Sequence, residues 1–275
     1  MIALITGASS GIGEATARRL AREPGARLIL VARREQRLRA LADELGGALV
    51  LAEDLTDEGA PARIAAAVEA EHGRLDLLVN NAGAAWRGTF GEQGAETLRR
   101  TMDLNLHAPA RLTEALLPLL RRSAPSSIVN VASTSGRVGR PGSSAYSASK
   151  FALIGWSDTL HLEERGHGVH VGLVNPGFVA TEGFPQRELV DRRATRWMVS
   201  TPAKVAEAIV DAGPGGKAER YVPRPYGLVA ALRILTPPLI RRALGGPGST
   251  FSTATGADGK AAADAPAADR EPTNV

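Results

Sequence analysis

The sequence has no cysteine among its 275 residues. Disulfides, thiolate metal sites and a cysteine nucleophile are therefore excluded, and a reducing compartment suits the chain. Aromatic residues make up only 4%, and none interleave with a basic stripe, so no nucleic-acid partner is expected. No apolar run approaches the roughly 20 residues that cross a bilayer. The first apolar run, Ile2-Ala3-Leu4-Ile5, stops at a turn. It is too short for the core of a signal peptide, so a cytoplasmic location is expected. The five histidines (72, 107, 161, 167 and 170) are scattered without carboxylate clusters, and no metal site is expected.

What is present is a chain that is 44% hydrophobic and 23% charged, with a net charge of +4. That supports a sizeable core, and the small positive excess favours anionic ligands such as phosphates. Short apolar runs at 2–6, 27–32, 48–52, 75–80, 127–133 and 169–175 read as strands. Their lack of in/out alternation points to a sheet covered on both faces. Helical patterns at 14–22, 34–45, 60–72, 95–122 and 145–165 lie between them. A further helix is expected at 201–213, where Thr201-Pro202 supplies cap and first turn, and a last strand at 217–223. Such alternation makes an α/β, doubly wound parallel sheet (a Rossmann fold), with ligands beyond the strand carboxyl ends.

One domain is expected over 1–223, with 178–200 as a substrate lid. Residues 224–244 carry four arginines and no acid, with Leu228, Leu232, Leu235 and Leu239 at helical spacing. This basic amphipathic extension fits packing on the domain or its partner, or peripheral contact with a membrane surface. Residues 245–275 are rich in Gly, Ala, Thr, Pro and Asp and are expected to be a disordered tail.

Residues 6–13 read TGASSGIG, which admits two chemistries. Gly7-Ala8-Ser9-Ser10-Gly11 matches the G-x-S-x-G elbow of serine hydrolases, but such an elbow needs an oxyanion-hole loop upstream. Only the first strand precedes Ser9. The second chemistry is a phosphate loop formed by Gly7, Ser9, Ser10, Gly11, Ile12 and Gly13. Its glycines allow a tight turn, close approach to a pyrophosphate and close helix packing. The N–H groups at the helix start then face the phosphates. About 20 residues further on, an NAD site carries an acid for the ribose hydroxyl. Here the strand ends in Arg33-Arg34. A guanidinium pairs with a 2′-phosphate, so NADP (NADPH) is the expected cofactor.

Tyr146 and Lys150 stand at i and i+4 of an expected helix, on one face. A free phenol has a pKa near 10. An ammonium one turn away, with the positive ring of an oxidised nicotinamide, is expected to favour the phenolate and suit the group to acid–base work. Ser133 ends a strand thirteen residues earlier, where its hydroxyl suits a substrate carbonyl oxygen. Asn80-Asn81-Ala82-Gly83 ends the fourth strand, and Asn175-Pro176-Gly177 closes the sixth, with Thr181 just beyond. Asn105 lies within a long helical pattern, where Asn is a mediocre former. It is read as a buried amide that anchors a water for proton relay.

In order and spacing, these motifs closely resemble the short-chain dehydrogenase/reductase family over residues 2–215. The resemblance implies that Tyr146 is the acid/base, Ser133 orients substrate, Lys150 holds the nicotinamide ribose and tunes Tyr146, and Asn105 completes a relay. It also implies that Asp54 and Leu55 flank the adenine, that Asn81, Ala82 and Gly83 line the cofactor, and that Val179 and Thr181 meet the carboxamide. Arg33 stands where NADP-preferring members carry arginine. Members pair through helices matching 95–122 and 145–165, so a homodimer or homotetramer is expected. The extension is longer and more basic than a minimal member needs.

The expected activity is an NADP-dependent interconversion of a ketone or aldehyde with an alcohol. Two other readings are an NADP(H)-sensing protein without turnover and a membrane-docked reductase of a lipophilic substrate. Specificity is expected in 84–93, 134–144 and 178–200.

Overall fold

The computed structural model describes residues 1–182, 187–191, 196–245 and 273–274. Seven strands form its main sheet: β1 (Ile2–Thr6), β2 (Arg27–Ala32), β3 (Leu49–Ala52), β4 (Leu77–Asn80), β5 (Ser126–Val131), β6 (Val169–Pro176) and β7 (Glu219–Val222). Their order is β7-β6-β5-β4-β1-β2-β3, and every pairing is parallel. The connections run through α1 (Gly11–Leu20), α2 (Glu35–Glu44), α3 (Ala60–His72), α4 (Phe90–Met102), α5 (Ala108–Arg122), α6 (Ser144–Glu164) and α7 (Pro202–Ala212).

The unbroken apolar strands have a direct cause. In β1, Ala3 and Ile5 join a core with Ile12 and Leu20 of α1, Leu38 of α2 and Ile209 of α7. Leu4 points to the other face, against Ile64 of α3 and Leu112 and Leu116 of α5. Both faces are dry, so neither side of the strand carries polar residues. Each fully buried leucine or isoleucine contributes roughly 1.5–3 kcal/mol of burial free energy. Strand order reverses at β1, and the crevice above β1 and β4 is where such sheets hold ligands.

Three elements differ from expectation. The long helix of 95–122 begins earlier, at Phe90, where Thr89 and Glu92 form a reciprocal capping box. Gly94, at φ 68°, breaks its regularity, and a π-turn over Asp103–His107 separates α4 from α5. The extension is two helices, α8 (Tyr226–Leu235) and α9 (Pro237–Gly245), because Pro237 cannot continue the hydrogen-bond ladder. Within 178–200, Phe178–Val179 pairs in parallel with Val199–Ser200; residues 183–186 and 192–195 fall outside the described set. The expected tail of 245–275 also lies outside it, apart from Gly245 and Thr273–Asn274, which pair antiparallel with Ala84–Ala85. No described helix is long and apolar enough to cross a membrane.

Candidate active site

The glycine loop is fixed from below by side chain–backbone bonds. Thr6 Oγ1 accepts from the N–H groups of Asn81 and Ala82, each at 2.9 Å, and Asn81 Nδ2 donates to Thr6 O at 2.9 Å. The ends of β1 and β4 are thereby locked together. Gly7 sits at φ +67°, and a Cβ there would stand 2.9 Å from Asn81 Nδ2. A Cβ on Gly13 would stand 2.3 Å from Gly7 O, so α1 packs against the loop at a distance that glycine alone permits. No side chain caps α1 at Ser10, which leaves its first N–H groups turned to the cleft.

That cleft is a cavity of about 640 Å³. Of the expected cofactor residues it is lined by Gly7, Ser9, Ser10, Gly11, Arg33, Asp54, Leu55, Asn81, Ala82, Gly83 and Thr181. Arg34 lies across the loop: its Nε and Nη2 donate to Ser9 Oγ at 3.1 and 3.0 Å, and Nη2 donates to Ser10 Oγ at 2.6 Å. Burial first, then the charge of Arg37, holds Arg34 below the ordinary arginine pKa. Arg33 is exposed, 3.9 Å from Asp54. Arg37 makes a two-point ion pair with Glu182, at 2.7 and 3.1 Å, across the rim. Two guanidinium groups just past β2, those of Arg33 and Arg34, a glycine cradle and the buried, unpartnered Asn81 Oδ1 and Thr181 Oγ1 fit a phosphate-bearing dinucleotide.

A smaller cavity of about 90 Å³ continues the cleft and shares Asn81, Gly83, Trp86 and Thr181 with it. Ile12, Ser133, Tyr146, Lys150, Pro176, Gly177 and Val179 line it, as expected, together with Arg87, Arg140 and Phe178. Tyr146 and Lys150 are one turn apart on α6 and both buried, with Lys150 Nζ 5.8 Å from the centre of the Tyr146 ring. Nζ donates to Val131 O at 2.9 Å. Ser133 Oγ caps the short turn of Thr134–Gly136 by accepting from Ser135 N at 3.1 Å. Tyr146 Oη is buried and makes no hydrogen bond.

Among the protein's own groups, burial rather than Lys150 dominates the Tyr146 phenol. Burial pushes the phenol up to about 12, against smaller lowering effects from the nearby Ser133 hydroxyl and the Arg140 charge. The same burial pushes Lys150 down to about 8. Desolvation disfavours both charged forms, and it outweighs what each gains from its neighbours.

Asn105 and Gly13 lie behind the cavity walls rather than in them. Asn105 sits in the π-turn and is buried; its Oδ1 accepts from Ala84 N, and its Nδ2 donates to Ala84 O and Ser149 Oγ, each at 3.0 Å. Both amide hydrogens are therefore engaged by protein, so the expected water anchor cannot use them. The amide instead fixes the chain beside Gly83, where a Cβ would stand 3.1 Å from Asn105 Oδ1 and 3.5 Å from Lys150 Nζ.

Two wall residues fall in segments expected to set specificity without being singled out there, and a third residue supports the wall from behind. Arg140 comes from a loop without periodicity. Trp86 follows the β4 turn, beneath the Arg100 guanidinium at 4.3 Å. Tyr226 of α8 packs on Gly177, where a Cβ would stand 2.3 Å from its ring. The extension therefore packs against Gly177 of the cavity wall, and the expected boundary at 223 cuts through that packing.

Lys150 yields a pH test. Between its folded pKa near 8 and the ordinary 10.5, the unfolded chain holds a proton that the fold has released. Stability therefore rises with pH in that window. The urea midpoint of the protein should climb from pH 8 to 10 relative to Lys150→Met; parallel curves would contradict the buried-lysine assignment.

Comparison with known proteins agrees with this geometry. A family model described as short chain dehydrogenase matches residues 1–189. A Danio rerio relative, "Dehydrogenase/reductase SDR family member 7B", is 35% identical over 190 residues, which cover 66% of this chain and 61% of that protein. A short-chain dehydrogenase from Streptomyces avermitilis superposes with a TM-score of 0.72 at 32% identity, covering 90% of this chain and 98% of the other. A Pseudomonas aeruginosa RhlG/NADP active-site complex superposes with a TM-score of 0.71 at 30% identity, covering 80% and 93%. The chain belongs to the short-chain dehydrogenase/reductase family, whose members are oxidoreductases that bind NAD(P).

Proposed function

We propose that the protein is an NADP-dependent reductase that interconverts a ketone or aldehyde with an alcohol. One observation carries this reading: the unpartnered Tyr146 Oη shares a small cavity with Ser133 and Lys150, and that cavity opens into the dinucleotide-sized cleft. Arg34, with Arg33 beside it, holds the 2′-phosphate; the Gly7–Gly13 loop cradles the pyrophosphate. Asp54 and Leu55 flank the adenine, and Val179 and Thr181 meet the carboxamide. A dinucleotide held there in its reduced form would supply the hydride that the carbonyl carbon takes up, and would itself be oxidised. Ser133 and Tyr146 hold the carbonyl oxygen and stabilise the charge that develops there. The C=O π pair moves to oxygen, which takes the Tyr146 proton. Lys150 offsets the phenolate left behind, and Asn105 is a positioning residue that holds Ala84 and Gly83 against Lys150. The protein works as a homo-oligomer, and Phe151 and Leu162, exposed on α6, support pairing through that helix.

The exposed face of α8 and α9 favours a second role, docking on an anionic membrane surface. Leu228 and Leu235 are 66% and 76% exposed, with Ile234 and Leu239 beside them. Arg224, Arg241 and Arg242 lie exposed in the same acid-free stretch. Apolar side chains bordered by arginine match an anionic lipid interface.

Tyr146→Phe should lower NADPH-dependent turnover on a carbonyl panel at least about 100-fold; equal turnover removes this mechanism. Arg34→Ala should weaken NADPH binding about 10- to 100-fold, the worth of a charge-assisted bond of about 1.5–3 kcal/mol, and weaken NADH binding far less. Equal losses for the two cofactors would place the 2′-phosphate elsewhere. Because Tyr226 packs on Gly177, docking is better tested with Leu235→Asp/Leu239→Asp than by truncation. The double variant should lose co-sedimentation with phosphatidylglycerol vesicles, and unchanged partitioning, or a shift in oligomeric state alone, would refute docking.

A further inference from the structure

Several arginines on this protein's surface are matched with acids. Arg63 pairs with Glu53 and Asp57, Arg121 with Glu164, and Arg137 with Glu219. Arg140, three residues after Arg137, is different. Its guanidinium lines the small cavity with Ser133, Tyr146 and Lys150. It lies 4.6 Å over the Phe178 ring, and its Nη2 donates to Ser135 Oγ at 3.0 Å. A guanidinium has five N–H donors and no way to lose its charge. Among the described residues no carboxylate pairs with it. The groups that interact with its charge are the phenols of Tyr146 and Tyr226, and the like-charged Arg87. Burial accordingly holds Arg140 below the ordinary arginine value.

A cation held partly out of water without a counter-ion is costly unless a ligand supplies the opposite charge. Its surroundings are built to keep it in place. The Phe178 face steadies the guanidinium plane, and Ser135 fixes one edge, which leaves further N–H groups free for a planar oxyanion. Ser135 also belongs to the turn that Ser133 caps, so carbonyl recognition and anion recognition share one rigid loop.

We infer that the substrate is an oxyanion-bearing carbonyl compound, an oxo acid, whose carboxylate is received by Arg140 while its carbonyl oxygen lies between Ser133 and Tyr146. This rests on the reductase reading above. The step balances as before: the carbonyl carbon gains hydride from NADPH, the carbonyl oxygen gains the Tyr146 proton, NADP⁺ is the oxidised product, and the carboxylate is unchanged. Arg140 touches the substrate and sets specificity. Its charge also lowers the Tyr146 pKa, so absolute rates alone do not isolate recognition.

The test is a ratio. Turnover with NADPH is measured on short 2-oxo and 3-oxo acids, on their methyl esters and on a phosphate-bearing ketone. Both the full-length protein and Arg140→Leu are assayed, with Arg140→Gln as a second variant should the first not fold. The acid should exceed its ester at least tenfold in kcat/KM, mainly through KM. That ratio should collapse toward one in the variant. An acid and ester handled equally by the unaltered protein would overturn the proposal, as would equal losses on both in the variant. Preference for the phosphate-bearing ketone over the oxo acids would keep the cation site but overturn the carboxylate assignment. Thermal protection by malonate at fixed ionic strength is read in parallel, without turnover. Protection that Arg140→Leu abolishes, with no carbonyl reduced, sustains the anion site and removes the reductase reading. Turnover without acid preference or malonate protection removes the anion site and keeps the reductase.

Discussion

A phenol and an ammonium, one helical turn apart and both sealed from water, set the terms for this protein. Burial pushes Tyr146 up and Lys150 down. Burial thus favours the uncharged form of each group, and their pairing becomes strong when further charge enters the pocket. In water at the same separation the attraction would be small; in a dry site it is several times larger. The site is preorganised rather than pre-ionised. Lys150 Nζ and Ser133 Oγ are already held by the protein, which leaves Tyr146 Oη, Asn81 Oδ1 and Thr181 Oγ1 without protein partners.

The fold exists to make that arrangement reproducible. A parallel sheet buried on both faces brings the carboxyl ends of β1, β4, β5 and β6 to one edge. Each end contributes one part: the glycine loop, the Asn81 turn, Ser133 and Pro176-Gly177. Side chain–backbone bonds then set their spacing. Thr6 ties β1 to β4, Asn105 ties the segment after β4 to α6 through Ser149, and Lys150 ties α6 to β5 through Val131. Each is a buried bond whose loss would leave an unsatisfied group, at about 1–3 kcal/mol.

Much of this was legible in the sequence, for identifiable reasons. β1, β2 and α3 fall where their patterns put them, because a dry strand has no polar interruption and Gly73 ends α3 in a left-handed turn. The i, i+4 spacing of Tyr146 and Lys150 needs only a helix to bring the two together. The sequence points to Arg33 as the cofactor arginine; that its neighbour Arg34 is the one turned toward Ser9 and Ser10 shows only in three dimensions. Arg140 falls in the 134–144 segment expected to set specificity, but nothing singles it out there, since loop residues have no period and its isolation from acids is a three-dimensional fact. The π-turn at Asn105 was equally hidden, because a five-residue turn leaves the helical pattern nearly intact. Tyr226 was read with the extension because the sequence does not show that α8 folds back onto Gly177.

The central claim is that the Tyr146 phenol awaits a positive charge supplied by its ligand. The near-ultraviolet absorbance of tyrosinate, taken as the difference between the protein and Tyr146→Phe, reads that group directly. Without ligand the difference should show no phenolate below about pH 10, where an ordinary tyrosine is half-ionised. With saturating NADP⁺ the midpoint should move down toward neutrality, and by linkage NADP⁺ should bind more tightly as pH rises through it. A midpoint that stays in place when NADP⁺ binds would contradict the account.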